Sequence, residues 1–206
     1  MTVTDVAPLP TDDSSGVAVA SLALPIVFGG MVSGIALTLL VETSPWKRVL
    51  TAVVIAALGS MAAVAVLHSG FHALDGSFGL EWSALTLGIS AISLTLLGLH
   101  ALLGPAGIGL GAVVMLFVAN PLSGLATGPW MLPAGWSTLG QLLPVGAAGT
   151  MLRSAAYFDG QGMSWSPWVL GAWILGGLVL LGVGALLRRS RSRSESHAEA
   201  TATATA

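Results

Sequence analysis

The feature that most constrains this chain is the length of its uncharged apolar runs. The longest, residues 83–120, extends for 38 residues without an Asp, Glu, Lys or Arg. An α-helix rises about 1.5 Å per residue, so roughly 20 apolar residues cross a hydrocarbon core of about 30 Å. Soluble domains contain about 25% charged residues, whereas this chain contains 8%. The sequence therefore predicts an all-α fold, a polytopic helical bundle in a membrane.

The number of spans depends on how the run 83–120 is divided. It is too long for one span, and Gly104-Pro105 interrupts it, because proline breaks the interior of a helix. A division there predicts five transmembrane helices, over residues 17–41, 49–67, 83–103, 105–120 and 167–187.

The remaining segments are polar or low in complexity. Residues 69–82, which contain Asp75 and Glu81, are predicted to form a short loop. Residues 1–16 and 188–206 are predicted to be disordered tails, since neither can bury enough apolar surface to fold.

The segment between the last two predicted spans, residues 121–166, is not an ordinary polar loop. It contains two stretches with helical spacing, 136–143 and 145–158. The second has an apolar stripe at steps of three and four residues: Ala148, Met151, Leu152, Ala155 and Phe158. Tryptophan and tyrosine favour the membrane–water boundary, and the segment is rich in tryptophan. We predict a re-entrant or interfacial helix pair that caps the outer end of the bundle.

The distribution of basic residues predicts the orientation. Lys and Arg beside spans stay in the cytoplasm, and arginines at 188, 189, 191 and 193 follow the last span. Counting back five spans places Lys47 and Arg48 inside, and the cap and the N-terminus outside. The predicted location is the bacterial plasma (inner) membrane, with the lipid bilayer as the first partner.

Two pairs of glycines with four-residue spacing are candidates for helix packing. They are Gly30 with Gly34 and Gly107 with Gly111. Small residues at this spacing let two helices approach closely. The alternatives for the first pair are simple packing, a functional hinge, or the interface of a homodimer.

Composition and spacing exclude several classes of site. The chain has no cysteine, so disulfides, thiolate metal sites and cysteine nucleophiles are excluded. His68 and His72 are too few for a zinc site, which needs at least three protein ligands. His100 is interpreted as a hydrogen-bonded residue, with a proton relay as the alternative. No catalytic, cofactor or metal site is predicted, and the chain is not expected to be an enzyme. Its net charge of −2 gives no reason to expect nucleic acid as a partner.

Several motifs resemble the last part of actinobacterial membrane proteins of the YhgE/Pip kind, which belong to the ABC-2 type permease group. The motifs are Leu24-Pro25, Gly29-Gly30, Asn120-Pro121-Leu122-Ser123-Gly124, Leu132-Pro133, Leu143-Pro144-Val145-Gly146-Ala147, Leu152-Arg153-Ser154 and Tyr157-Phe158-Asp159-Gly160. Members typically have six spans, with an extracellular domain after the first and a re-entrant helix pair before the last. The resemblance covers residues 20–187 and implies that the chain corresponds to the last five spans, without the first span and that domain.

The resemblance implies a role in an export system for an amphipathic or lipid-like substrate. It also implies an ATPase or a subunit carrying the extracellular domain as a partner, for which Trp46, Lys47 and Arg48 are the candidate cytoplasmic contacts. The alternative function is a non-transporting membrane scaffold or accessory subunit.

The candidate residues of an outer gate are Arg153, Tyr157, Trp136 and Pro144. The most informative is Arg153, a charge on an otherwise apolar helical segment. One interpretation is that it binds an anionic substrate or lipid headgroup. The others are a structural partner for Glu81, Asp75 or Asp159, or a long side chain that reaches water from an apolar surface.

Overall fold

The computed structural model describes residue 13, residues 16–40 and residues 44–204, and all secondary structure in these residues is helical. Five helices are long and apolar enough to cross a membrane: Val17–Leu39, Pro45–Gly70, Phe78–Leu103, Pro105–Leu122 and Ser166–Ser190. The predicted all-α architecture with five potential spans is therefore confirmed.

The first four spans contain six helices. They are α1 (Val17–Ser21), α2 (Ala23–Leu40), α3 (Pro45–Val64, continued by a π-helical turn over Ala65–Gly70), α4 (Phe78–Leu103), α5 (Pro105–Val113, continued by a π-helical turn over Val114–Ala119) and α6 (Asn120–Leu122). A 3-10 turn at Pro129–Met131 then precedes the cap helices α7 (Trp136–Gln141) and α8 (Pro144–Tyr157), and α9 (Ser166–Ala204) is the last helix.

α4 lies at the centre of the bundle. α2, α3, α5, α8 and α9 all pack against it, and every residue from Gly88 to Gly98 is buried. A helix that is apolar on all sides must be surrounded by other protein or by lipid. Here the neighbouring helices surround the middle of α4.

Glycines bring the neighbouring helices close to α4. A Cβ on Gly30 would lie 2.6 Å from Ile92 Cβ, and one on Gly34 would lie 3.2 Å from Leu96 Cβ. Gly107 and Gly111 of α5 meet Leu99 and Leu96 of the same central helix. Both predicted glycine pairs therefore make close contacts within the chain. The Gly30/Gly34 face is occupied by α4 and does not offer the homodimer interface that the sequence suggested.

Two buried serines join α2 to α4 beside these glycines. The Ser33 and Ser93 hydroxyl oxygens lie 2.6 Å apart, and Ser93 also lies within hydrogen-bond distance of the Gly30 carbonyl, at 3.0 Å. Hydrogen bonds between membrane helices contribute about 0.6 kcal/mol on average. These hydrogen bonds therefore give the buried serine hydroxyls their partners, and close packing contributes more to the stability of the α2–α4 contact.

The helix is interrupted between α4 and α5, at the position that the sequence predicts. Gly104 has a φ of 66°, a left-handed conformation that glycine adopts without steric cost. Pro105 is the first residue of α5, and its missing N–H costs nothing at that position.

Two predicted boundaries differ from the structure by five residues or more. α4 begins at Phe78, so residues 78–82 are helical and not part of a loop. Glu81 made this stretch look solvated, but its side chain is fully buried and paired. α9 continues to Ala204, where the sequence predicted a disordered tail from residue 188. Arginine, glutamate and alanine, which are frequent in this tail, are good helix formers. The predicted N-terminal tail lies almost entirely outside the described residues.

Gly30→Ala is expected to lower the stability of the protein, because the added methyl group has no room beside Ile92. Overpacking costs about 1–3 kcal/mol, more than the alanine gains in helix propensity. Gly59→Ala is the matched control, since a Cβ on Gly59 of α3 meets nothing within 4 Å. Thermal unfolding of the purified protein in detergent measures both. Equal midpoints for the two variants would contradict the close α2–α4 contact.

Candidate functional site

The α7–α8 pair packs against the long helices α4 and α9. Ala148 of α8 meets Gly88 of α4, where an added Cβ would lie 2.6 Å from the Ala148 Cβ. Gly88 is ten residues into α4, or about 15 Å at about 1.5 Å per residue. Trp173, seven residues into α9, donates its indole N–H to the Leu142 carbonyl at 2.8 Å. The turn between α7 and α8 therefore lies beside α9, level with the long helices, and Leu142 at the turn is exposed.

Small residues and proline explain why α8 can pack closely against the bundle. Pro144 occupies its first position and follows Leu143 in an extended conformation. Residues 144–149 are all buried, and four of them are glycine or alanine. Gly146 meets the Gly140 backbone, and Gly149 meets the Leu125 side chain. A helix with few large side chains packs close to its neighbours.

The apolar stripe predicted for this helix is largely correct. Ala148, Met151, Leu152 and Ala155 are buried. Phe158 is 47% exposed, so its assignment to the stripe is wrong. The helix ends at Tyr157, and Phe158 leaves the helical conformation.

Arg153 links α8 to the loop that follows α6. One of its terminal nitrogens, Nη2, donates to the Gly124 carbonyl at 3.3 Å and to the Leu125 carbonyl at 3.2 Å. The guanidinium carbon lies 5.5 Å from the centroid of a Trp130 ring, a cation–π contact. The partners of Arg153 are thus two backbone carbonyls and an indole ring, and not the carboxylate that one of the interpretations expected. Burial lowers the pKa of Arg153, but an arginine in a protein keeps its charge.

A cavity of about 370 Å³ lies beside Arg153. Its walls come from the start of α1, the loop 125–130 and the end of α8. The polar side chains in the wall are Arg153, Tyr157 and Thr127, and the others are apolar. The structure brings Arg153 and Tyr157 together as the sequence predicted. It does not bring Trp136 or Pro144 into this cavity: Trp136 is exposed at the start of α7, and Pro144 is buried at the start of α8.

Tyr157 lines this cavity as an uncharged side chain, and its hydroxyl oxygen is buried. Burial raises the pKa of Tyr157 to about 12, and the nearby Asp13 carboxylate contributes in the same direction to a smaller extent. Asp13 accepts hydrogen bonds from the backbone N–H groups of Val17 and Ala18, each at 2.8 Å, and so caps α1. The cavity therefore combines a permanent cation with an uncharged phenol at ordinary pH.

The predicted cytoplasmic contacts lie at the opposite end of the bundle. Trp46 is 72% exposed and borders a cleft of about 290 Å³ that reaches Arg189 of α9. Lys47 is also exposed, and Arg48 lines a smaller cavity with Arg188. The structure thus gathers basic residues from the start of α3 and from α9 at one end.

His100 lies in the same region of the bundle, on α4. Its backbone carbonyl accepts a hydrogen bond from Arg188 at 3.1 Å. Its buried Nδ1 has no hydrogen-bond partner among the described residues, contrary to the interpretation of His100 as a hydrogen-bonded side chain.

Sequence reasoning missed a hydrogen bond between His68 and Glu81. Nδ1 of His68 lies 2.9 Å from Oε2 of Glu81, and the backbone N–H of Gly76 donates to Oε1 at 3.1 Å. The signal that could have found it is the position of the two residues. They flank a short glycine-containing loop, and consecutive helices joined by a short loop meet at that end.

His68 and His72, which the sequence analysis considered together as metal ligands, do not share a helical face. His72 lies in the loop after the π-helical turn, with a φ of 48°. Within residues 13, 16–40 and 44–204, no group of three or more metal-binding side chains is present.

Arg153→Gln is expected to loosen the loop 124–130. Glutamine is shorter and uncharged, so it cannot replace the hydrogen bonds that Arg153 donates to the Gly124 and Leu125 carbonyls. Hydrogen bonds from charged groups contribute about 1.5–3 kcal/mol, so amide hydrogen exchange in that loop should accelerate about tenfold or more. Arg188→Gln is the matched control, since Arg188 also donates to backbone carbonyls but at the other end of the bundle. Unchanged exchange in Arg153→Gln would show that Arg153 does not hold the loop.

The chain was also compared with known proteins. No family model, curated protein or solved structure matches it.

Proposed function

We propose that this chain is an integral membrane protein that takes part in the export of an amphipathic or lipid-like substrate, as its resemblance to ABC-2 type permeases implies. The observation that carries the proposal is the cavity of about 370 Å³ at the end of α8. It places a cation and a neutral phenol among apolar walls, at one end of a bundle of five potential spans.

The chemistry of this cavity suits an anionic amphiphile. Arg153 uses one nitrogen, Nη2, for its two carbonyl bonds, and a guanidinium has five N–H donors in all. Other N–H groups can therefore donate to a phosphate or carboxylate. The exposed Thr127 side chain adds a second donor, while Val19, Leu125 and Phe158 offer apolar surface to a hydrocarbon chain.

The proposed orientation in the bacterial plasma membrane follows from the basic end of the bundle. Lys47, Arg48, Arg188 and Arg189 belong to the cytoplasmic side, because basic residues beside spans are retained there. The cavity at the end of α8 then opens outside. On the inner side, Trp46, Lys47 and Arg48 form the proposed contact for an ATPase. A subunit with an extracellular domain is the proposed partner on the outer side.

A second candidate function is a non-transporting scaffold or accessory subunit. Two observations favour it. Arg153 already has two carbonyls and Trp130 as partners, which account for its presence without a ligand. α4 is also closely packed by its neighbours at Gly30, Gly107 and Gly177. Under this alternative the cavity holds no substrate.

Labelling of single cysteines tests the orientation, and the natural chain contributes no background because it has no cysteine. Thr127→Cys, at an exposed loop position, is expected to react with a membrane-impermeant maleimide in intact cells. Ser44→Cys, exposed at the basic end, is expected to react only after the cells are opened. The reverse pattern would overturn the proposed orientation.

Photocrosslinking tests the cavity, with a photoactivatable alkyl phosphate as the probe and the matching alkyl alcohol as the neutral comparison. The phosphate is expected to crosslink within residues 124–130 or 153–158. Thr127→Val is expected to weaken its binding about fivefold, the equivalent of one hydrogen bond of about 1 kcal/mol. Trp136→Phe is the control, since Trp136 lies outside this cavity. Equal crosslinking by phosphate and alcohol, or no effect of Thr127→Val, would favour the scaffold.

A further inference from the structure

The cleft between α9 and the start of α3 is formed by one face of α9. Its volume is about 290 Å³. The residues that α9 contributes recur at steps of three and four: Leu178, Leu181, Gly182, Ala185, Leu186 and Arg189. Residues at this spacing are neighbours on a helix surface. α3 and the residue before it contribute Ser44, Pro45 and Trp46.

The cleft is polar at one end and apolar along the rest of its length. Arg189 is exposed and lies one residue before the end of the last potential span, Ser166–Ser190. The apolar wall reaches back to Leu178, eleven residues before Arg189, or about 16 Å at about 1.5 Å per residue. One leaflet provides about half of a hydrocarbon core of about 30 Å. The wall is therefore about as long as the hydrocarbon depth of one leaflet.

Basic side chains lie at the polar end. Lys47 is exposed in the first turn of α3, and Arg48 and Arg188 line the neighbouring smaller cavity. No Asp or Glu is among the described residues that line either space. The Ser44 hydroxyl makes no capping bond to α3, so it can donate to a ligand. This end is therefore complementary to an anion, and the planar guanidinium of Arg189 suits a phosphate in particular.

Exposed apolar side chains border the opening of the cleft. Trp46 is 72% exposed and Leu186 is 66% exposed. Apolar side chains that a spanning helix leaves uncovered by protein face lipid, and tryptophan favours the level of the headgroups. The cleft therefore opens sideways into the bilayer, at the depth where headgroups meet acyl chains.

We propose that this cleft binds an anionic phospholipid, with its phosphate at Arg189 and Ser44 and one acyl chain along the apolar face of α9. A soluble anion leaves that face uncovered, and a zwitterionic lipid brings a second cation to a basic end. An anionic lipid with acyl chains matches both parts of the cleft. The bound lipid joins the start of α3 to α9. The site lies at the opposite end of the bundle from the Arg153 cavity, so it does not depend on the proposed export function.

Titration of the purified protein in a neutral detergent tests the site. Phosphatidylglycerol is the anionic probe, and phosphatidylcholine with the same acyl chains is the zwitterionic comparison. Native mass spectrometry counts the bound lipids. We expect phosphatidylglycerol to bind about tenfold more tightly or better, because several basic residues attract its net charge. Glycerol phosphate, which has no acyl chain, is expected not to compete at the same concentration.

A change of shape tests the apolar part of the cleft. A Cβ on Gly182 meets nothing within 4 Å, so Gly182→Leu fills the cleft without disturbing the contacts of α9. It is expected to weaken phosphatidylglycerol binding about tenfold or more, since the leucine displaces several methylene groups of the acyl chain. Gly176→Leu is the matched control. Gly176 has the same free space on the same helix, but it borders a separate groove whose described lining residues are uncharged.

A change of charge tests the polar part. Arg189→Gln and Lys47→Gln each remove one positive charge from the same end, but Arg189 lines the cleft and Lys47 does not. Arg189→Gln is expected to weaken phosphatidylglycerol binding about tenfold, through loss of a charge-assisted hydrogen bond. Lys47→Gln is expected to weaken it at most about twofold, as for an exposed charge without direct contact. Equal losses in the two variants would indicate diffuse attraction and contradict the site.

The proposal is also overturned by equal affinities for the two lipids, by unchanged binding in Gly182→Leu, or by full competition from glycerol phosphate. If Gly182→Leu does not fold, phosphatidylglycerol with a photoactivatable acyl chain decides on the natural chain. Its crosslinks are expected within residues 44–46 or 178–189, and crosslinks elsewhere would contradict the site. Loss of the preference for phosphatidylglycerol, with crosslinking at the Arg153 cavity intact, would leave the proposed function standing.

Discussion

The fold depends on the close approach of helices to α4. Lipid offers no hydrophobic advantage to helix–helix contact, so packing must come from surfaces that fit at short range. Gly30, Gly107 and Gly177 provide such surfaces on three different neighbours. Ser93 of α4 finds its partners within this enclosure, whereas the hydroxyl groups of Thr86 and Ser90 have none among the described residues. The same enclosure gives α8 a fixed wall to pack against at Gly88.

Charged groups within this apolar framework are held by partners from other segments. Arg153 is bound by carbonyls of the loop 124–125, and Glu81 is bound by His68 and by Gly76. A charge in such surroundings is costly unless it is paired. These two groups therefore have a structural role. They connect α8 and its neighbouring loop to the spans, and they give that end of the bundle its chemistry.

Some parts of the architecture could be predicted because they are local. Gly104 and Pro105 interrupt the longest apolar run, and α4 ends and α5 begins at this position. Pro144 begins α8, within one residue of the predicted start. The start of α4 could not be predicted, since Glu81 counts as a polar loop residue until its partner is known. The partners of Arg153 were also missed, because backbone carbonyls are present at every residue and leave no pattern in the sequence.

The sequence by itself determined the membrane class of the fold, the five apolar helices and the positions of their breaks, because helix length, hydropathy and proline act over a few neighbouring residues. Only the tertiary structure decided that α4 is central, that the Gly30/Gly34 face is used within the chain, and that His68 meets Glu81. These features depend on which helix faces which, and on the depth at which α8 lies. Such contacts join residues far apart in the chain, so local spacing does not encode them.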